Sequence, residues 1–497
     1  MTVPRPLDSN LVRWLAEPRK SGWVDGARST ETGPRLEVVD PATESVIATV
    51  PDSTAGAVGI AVDSATRAFR DQVWRGLTPA EREARLLRLA DLLEAHAVEL
   101  QHLIVLENGK LIQGAEREVS GTIRFTRYMA GWATKLTGQT LDLSLRTPGT
   151  GYVAYTRREP VGVVAGIIPW NMPLSMAAWK AIPALACGCT VILKPAVEAP
   201  LSTLRLAELA SEAGLPPGVL NVVTGGDRTG AALVAHPGVA KVTFTGSTEV
   251  GRQVGVAAMG RLARVSLELG GKSPAIVLAD ADPARVAAAV AQGIFYNGGQ
   301  VCAAGSRLFV ARPLFESIVG RVTAIAAGMR IGAGLDPSSE IGPLVSDRHR
   351  DRVLGSVARA TADGAQLRSP ANEPGGPGYF VRPAVFTDTT PAMSIERDEV
   401  FGPVLVAIPF DTEADLVARV NQSRYGLAAS IYSEDLSAVH RLIPLIEAGT
   451  IFVNSPARTD PALPMGGLKE SGIGREHGAA MIDLYTESKS VVIGYQT

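Results

Sequence analysis

Cysteine is scarce in this chain: there are three among 497 residues, Cys187, Cys189 and Cys302. So small and odd a count cannot build a disulfide framework and fits a reducing compartment, so the cytoplasm is the expected location. An excess of charge of one sign is also missing. Lys and Arg number 48 against 50 Asp and Glu, and a net charge of -2 excludes the basic footprint of a nucleic-acid binder and any attraction to anionic membranes. No apolar run approaches the ~20 residues of a bilayer span. The opening stretch, with Pro4, Arg5, Pro6, Asp8 and Arg13, lacks the apolar core of a secretory signal. Internal repeats and low-complexity tracts are absent. What is present is 46% hydrophobic and 20% charged residues, in a chain long enough for two or three domains at roughly 150 residues each. The expected partner is a small molecule.

Short extended segments open the chain, Leu36–Val39 and Val46–Val50, split by the turn signal Asp40-Pro41-Ala42-Thr43. Helices are predicted at 55–70, at 79–108 as one long element closed by Gly109, and at about 115–135. Alternation in 152–158 predicts a half-exposed strand, an arm of the kind that pairs with another chain. From Pro160 to Gly271 strands and helices alternate: strands at 161–168, 190–193, 219–223 and 241–244, helices at 174–186, 201–213 and 231–235. The strands are nearly continuous apolar runs, which predicts a parallel sheet with both faces covered by crossover helices. A second series follows, with strands at 273–278, 307–310, 384–386 and 405–410 and helices at 283–295 and 314–327. The breaker-rich stretch 369–378 reads as a surface loop, and 490–495 as a final strand.

Cys302 lies in Asn297-Gly298-Gly299-Gln300-Val301-Cys302-Ala303-Ala304-Gly305, a glycine-flanked loop ahead of an apolar run. Small neighbours and permissive backbone suit a reactive thiol; a small buried hydrophobe is the alternative. Asn171, after the strand 161–168, can offer its amide to an oxyanion or cap the next helix. Lys194 at another strand end can meet a phosphate or ribose hydroxyl, or be an exposed lysine without a role. Phe244-Thr245-Gly246-Ser247 leads into a helix whose first amides can receive a pyrophosphate, although such junctions often bind nothing. Glu268, before Gly270-Gly271, is either a buried general base with a raised pKa or a surface carboxylate. Glu399 and Phe401, two apart, share one face if that segment is extended.

In this order, Pro169-Trp170-Asn171, Lys194-Pro195-Ala196, Phe244-Thr245-Gly246-Ser247, Glu268-Leu269-Gly270-Gly271-Lys272, Gly299-Gln300-Val301-Cys302, Glu399-Val400-Phe401-Gly402-Pro403 and Gly466-Gly467-Leu468-Lys469-Glu470-Ser471-Gly472 resemble the aldehyde dehydrogenase superfamily from about residue 20 to 490. The resemblance implies an α/β fold: a Rossmann-like nucleotide-binding domain (1–139 and 160–271), an α/β catalytic domain (272–480) and a β oligomerisation arm (140–159 and 481–497), in a homodimer or homotetramer. It implies Cys302 as nucleophile, Asn171 as oxyanion donor and Glu268 as base for thioester hydrolysis. It assigns Ile168, Trp170, Lys194, Gly246, Ser247, Leu269, Glu399 and Phe401 to NAD or NADP, and no metal.

Many NAD-preferring relatives carry a glutamate three residues after the lysine; here Val197 stands there, with Glu198 next, so use of both cofactors is expected. Met172, Met176, Trp179, Val301 and Met465 fall at tunnel-lining positions, and all are apolar. An uncharged aromatic or medium-chain aldehyde is therefore expected, and 155–164 is similar to phenylacetaldehyde dehydrogenases. Arg458 is the residue to suspect if a semialdehyde is preferred. Competing classes are a cysteine-dependent esterase or thiol hydrolase, which has no use for the cofactor residues, a catalytically silent protein on the same fold, and acyl transfer to coenzyme A, which Glu268 argues against.

Overall fold

The computed structural model describes residues 6–17, 19–31, 33–369 and 375–497. Residues 370–374 of the breaker-rich stretch thus lie outside the described residues.

Five parallel strands form the heart of the first sheet, in the spatial order Leu220–Val222, Thr190–Pro195, Val163–Ile168, Lys241–Thr245, Arg264–Glu268. Every residue of Thr190–Pro195 is buried, as the apolar run predicts for a strand covered on both faces. The chain winds outward in one direction from Val163–Ile168 and then resumes on its other side at Lys241–Thr245. The topological switch point of the sheet therefore lies between the carboxyl ends of these two strands, where α/β sheets open a crevice for ligands. Pro169-Trp170-Asn171 and Gly246-Ser247 are the segments that leave those two ends.

The second sheet has six parallel strands in the order Ala384–Thr387, Val404–Phe410, Arg307–Ala311, Pro274–Val277, Ala428–Tyr432, Thr450–Val453. Its last two strands, and the helices Asp347–Ala362, Glu413–Asn421 and Leu436–Leu442, are missing from the sequence-based prediction. The first of these helices is so charged that Val353, Val357 and Ala360 are its only buried apolar positions, too few to stand out as a periodic face. Near the chain end, Gly472–Ile473 returns to pair antiparallel with Leu267 and Glu268, adding an edge to the first sheet.

The long helix predicted over 79–108 is two, Pro79–Ala95 and Ala97–Asn108. Thr78 and Glu81 form a capping box at the start of the first. His96 breaks the ladder with φ -101° and ψ 19°, and its Nδ1 lies 2.7 Å from Glu99 Oε2 in the first turn of the second helix. Gly109 closes that helix in the left-handed region, φ 84°. The arm is a three-stranded ribbon in which Thr150–Pro160 pairs along its whole length with Thr486–Gln496 of the same chain, with Thr140–Leu141 at its edge.

Between the sheets, one buried ion pair does the positioning. The ammonium of Lys110 meets the carboxylate of Glu118 and also donates to the Asn171 carbonyl at 2.9 Å. Glu118 Oε1 accepts from the backbone of Leu174 (3.0 Å) and Ser175 (3.2 Å). It caps the helix Pro173–Ala186, which has no side-chain cap of its own, from another helix. Removing one partner of such a pair strands a buried charge, which costs about 3–5 kcal/mol. Glu118→Ala is therefore expected to lower unfolding stability by about that amount, and Glu118→Gln by less because its amide oxygen still accepts from Leu174 and Ser175. Denaturant unfolding checks the order; equal losses would show that the cap contributes nothing.

Candidate active site

Cys302 sits where the carboxyl edge of the first sheet faces the loop that feeds Arg307–Ala311. The fit there is close on the backbone: a Cβ on Gly271 would run into the Cys302 carbonyl oxygen, and one on Gly299, whose φ is 74°, into the Gly402 carbonyl. Only glycine suits these two positions. Asn297 and Gly298, at φ 52° and 63°, turn the loop. The loop is also stitched by Gln300, whose Nε2 donates to the Asn297 carbonyl at 2.9 Å and whose Oε1 accepts from Val345 N at 3.0 Å.

Asn171 is buried, and its side chain does not cap the following helix. Nδ2 donates to the Gln300 carbonyl at 2.9 Å, two residues before Cys302. A primary amide has two N–H groups; this bond uses one and fixes the direction of the other. The backbone of Asn171 is held in turn by Lys110 and by Asn297 Nδ2, at 3.3 Å.

The thiol is held in its protonated form. Burial pushes Cys302 up to about 12, Glu399, Glu268 and Glu476 add to the rise, and the Ala303 backbone amide opposes it. Glu268 is buried, not a surface carboxylate, and its pKa stands well above the usual range because of burial and the neighbouring Glu476, against the pull of Lys180 and Arg475. Behind it lies a buried ion pair that the sequence did not reveal: Lys180 Nζ donates to Glu476 Oε1 at 2.7 Å and to Thr245 Oγ1 at 2.7 Å. Glu476 is placed by a two-way backbone bridge with Met465, 2.7 Å in both directions, a pairing across ten intervening residues that carries no local motif.

On the other side of the thiol, Glu399 is partly buried, accepts from Gly271 N at 3.0 Å, and is raised to about 7 by burial, with the Gly271 bond, Arg352 and Lys272 opposing. The extended segment expected at 399–401 is not there: Phe401 has φ 60°. That turn sets its ring edge-on to Trp170, with centroids 5.4 Å apart. His349, unsuspected from sequence, holds the turn by a 2.8 Å bond between Nε2 and the Phe401 carbonyl. Its pKa is lowered to about 4 by burial and by Arg352, so the ring is neutral and Nε2 is the donor.

At the switch point, Ser247 is exposed and caps the helix Thr248–Met259, Oγ accepting from Val250 N at 3.4 Å. Gly246 N donates to the Glu268 carbonyl at 3.1 Å, tying that turn to Glu268. Leu269 is buried beneath the same helix, and Ile168 closes its strand beside Pro195. Lys194 is 7% exposed. Its Nζ reaches no acceptor among the described residues except the Pro195 carbonyl at 3.0 Å. Burial lowers it to about 8, with Glu198, Asp227 and Asp52 opposing. Val197 brings no carboxylate to it.

A cavity of about 350 Å³ opens onto Cys302 and Asn171. Met172, Met176, Trp179, Val301 and Met465 all line it, as the sequence predicts, and so does Arg458. Phe125, Tyr296, Phe452 and His477 complete its aromatic character; their sequence neighbourhoods give no sign of it. Among the described residues no group of three His, Cys, Asp or Glu side chains is arranged for a metal, and no helix is long and apolar enough to cross a membrane.

The model of the aldehyde dehydrogenase family matches residues 27–491. A phenylacetaldehyde dehydrogenase of Pseudomonas fluorescens is 53% identical over 95% of this chain and 94% of its own length. Betaine aldehyde dehydrogenase 2 of Rhizobium meliloti is 42% identical over 97% and 99%. An NAD+ complex of an aldehyde dehydrogenase from Bacillus cereus superposes with a TM-score of 0.96 at 41% identity, covering 99% of this chain and all of that one (100%). With sequence and fold agreeing along nearly its whole length, the chain belongs to the aldehyde dehydrogenase family and is an oxidoreductase acting on aldehydes.

Proposed function

We propose that this enzyme oxidises an uncharged aromatic or medium-chain aldehyde to its carboxylic acid, with phenylacetaldehyde as the leading substrate. The observation that carries the reading is a thiol and an amide, Cys302 and Asn171, opening together onto one aromatic and methionine-lined cavity. The 53% identity to a phenylacetaldehyde dehydrogenase supports it. A quaternary-ammonium aldehyde of the betaine type fits poorly. Arg117, Arg124 and Arg458 line the cavity, are exposed, and have no ion pair among the described residues, so a cation meets positive charge.

Cys302 gives its thiol proton to solvent and Sγ, as thiolate, bonds to the carbonyl carbon as the C=O π pair moves to oxygen, an oxyanion received by the free N–H of Asn171 Nδ2 and the Cys302 backbone N–H; the carbonyl re-forms as the carbon loses its hydride, which leaves the Cys302 thioester. When bound, a nicotinamide cofactor supplies the hydride acceptor. Glu268 then takes a proton from water, the hydroxyl adds to the Cys302 thioester, and Sγ leaves as the acid is released. A pure thiol hydrolase would leave the cofactor residues without purpose. Lys194 fits a ribose, being a buried ammonium with one backbone acceptor. The exposed amides behind Ser247 fit a pyrophosphate, and Glu399 with Phe401 fits the nicotinamide ribose and ring, with Ile168, Trp170, Gly246 and Leu269 around them.

Val197 supplies neither hydrogen bonds to a 2′-hydroxyl nor repulsion against a 2′-phosphate, so both NAD and NADP serve. The nucleotide unit would then be 1–139 with 160–271, the catalytic unit 272–480, and the ribbon of 140–159 with 481–497 an oligomer arm in a dimer or tetramer. Val153, Val492, Ile493 and Tyr495 lie about half exposed on that ribbon, the apolar surface such contact would cover.

An aldehyde panel followed by NADH and NADPH absorbance tests the reading. Phenylacetaldehyde is expected to outrun succinate semialdehyde, and Cys302→Ala to lose at least roughly 1000-fold in kcat. The two cofactors should differ by less than about 100-fold in kcat/KM, and Val197→Glu should cut use of NADP by about tenfold or more; no change would remove the role assigned to this position. Glu268 must be ionised to act, so activity rises with pH along a limb set above the usual carboxylate range. Glu476 raises that pKa and Lys180 lowers it. Glu476→Gln should therefore move the limb to lower pH, and an unmoved limb in a pH–rate profile would sever Glu476 from Glu268.

A further inference from the structure

His477 brings to the cavity a buried polar atom that the reaction leaves unused. His477 lines the cavity and is 2% exposed. Its Nδ1 lies 3.0 Å from the Asp460 carbonyl oxygen, which can only accept. The proton is therefore on Nδ1, and Nε2 carries a lone pair. That nitrogen is buried and has no hydrogen-bond partner among the described residues. Burial lowers the pKa of the ring, against the Asp460 carbonyl and Glu476, and so keeps it neutral.

The ring is fixed from several sides. Trp179 stands edge-on to it with centroids 4.1 Å apart, and Phe125 lies at 5.0 Å. The backbone of His477 is in the left-handed region, φ 64°, and its N–H lies 3.2 Å from Met481 Sδ. Buried acceptors without a donor are unfavourable and few in native proteins. This one belongs to a ring that lines the cavity beside Trp179 and Phe125, and a ligand bound there can supply the missing donor.

Resting on the reading above and narrowing it, we propose that His477 Nε2 accepts a hydrogen bond from the substrate, so that the preferred aldehydes are aromatic ones carrying a ring hydroxyl or ring N–H. Trp179 and Phe125 would hold the ring, and Nε2 would select the donor. Pockets discriminate in this way because an analogue lacking the donor leaves the protein acceptor unpaired.

The test compares kcat/KM for 4-hydroxyphenylacetaldehyde and phenylacetaldehyde in the full-length enzyme and two variants. The wild-type ratio is expected to exceed about 10. His477→Leu should bring it near 1, with the larger loss falling on 4-hydroxyphenylacetaldehyde. Because leucine is strained at positive φ, His477→Asn is the second variant: it suits that backbone, is too short to reach the same point, and should lower the ratio alike. Brisk oxidation of both aldehydes with a ratio that neither variant changes would overturn the assignment and leave the aromatic-aldehyde reading intact. Oxidation of aliphatic aldehydes alone would overturn both.

Discussion

The geometry of the site depends on a buried ion pair that contributes no chemistry of its own. Lys110, in the loop between the helices Ala97–Asn108 and Ile112–Ala130, and Glu118, in the second of them, together hold the Asn171 carbonyl and the first amides of the helix Pro173–Ala186. Asn171 cannot shift without breaking the Lys110 bond, and the helix cannot rotate without uncapping on Glu118. The same helix presents Met176 and Trp179 to the cavity and Lys180 to Glu476. One charged pair thus sets the Asn171 amide, one wall of the cavity and the cation behind Glu268. Buried ion pairs are a poor source of net stability; their value here is that a low-dielectric interior tolerates only the arrangement in which both charges are met.

Around the sulfur the electrostatics run against reaction in the resting protein. Two carboxylates, Glu268 and Glu399, flank Cys302, and burial raises all three groups in the same sense. Each is shifted toward its neutral form, and ionising any one of them raises the cost of ionising the others. Cations oppose the shift at both carboxyl groups, Lys180 and Arg475 at Glu268 and Arg352 and Lys272 at Glu399.

How much of this was legible in the sequence follows from the range of each interaction. Four of the five parallel strands of the first sheet could be read as nearly continuous apolar runs, and Cys302, Asn171 and Glu268 could be singled out as candidates by their turn chemistry; the fifth strand, Arg264–Glu268, was not read, and the five cavity residues came from the family resemblance. The helix Asp347–Ala362 could not, because its buried face is three residues in a charged sequence. Nor could the break at His96, where a side chain bonds to the next turn and no proline or glycine marks it. Lys180, Glu476, His349 and His477 were invisible for another reason. Each acts through a partner between 17 and 296 positions away, and no spacing rule reaches so far.

The division between what was read and what was missed is also a division of labour. The residues nearest the reacting atoms sit on backbone that glycine and strand ends shape locally, at Gly271, Gly299 and the carboxyl end of Arg264–Glu268. The cavity walls that choose among aldehydes are assembled from a helix near residue 120, another near 176, and the loop and turn from 452 to 477. Phe452 and Met465 of that last segment pack in one cluster with Cys302 and Ala303. The Met465–Glu476 bridge ties the same segment to the cation behind Glu268. In the proposed reaction, the choice of substrate and the basicity of Glu268 would consequently be coupled through a single backbone pairing.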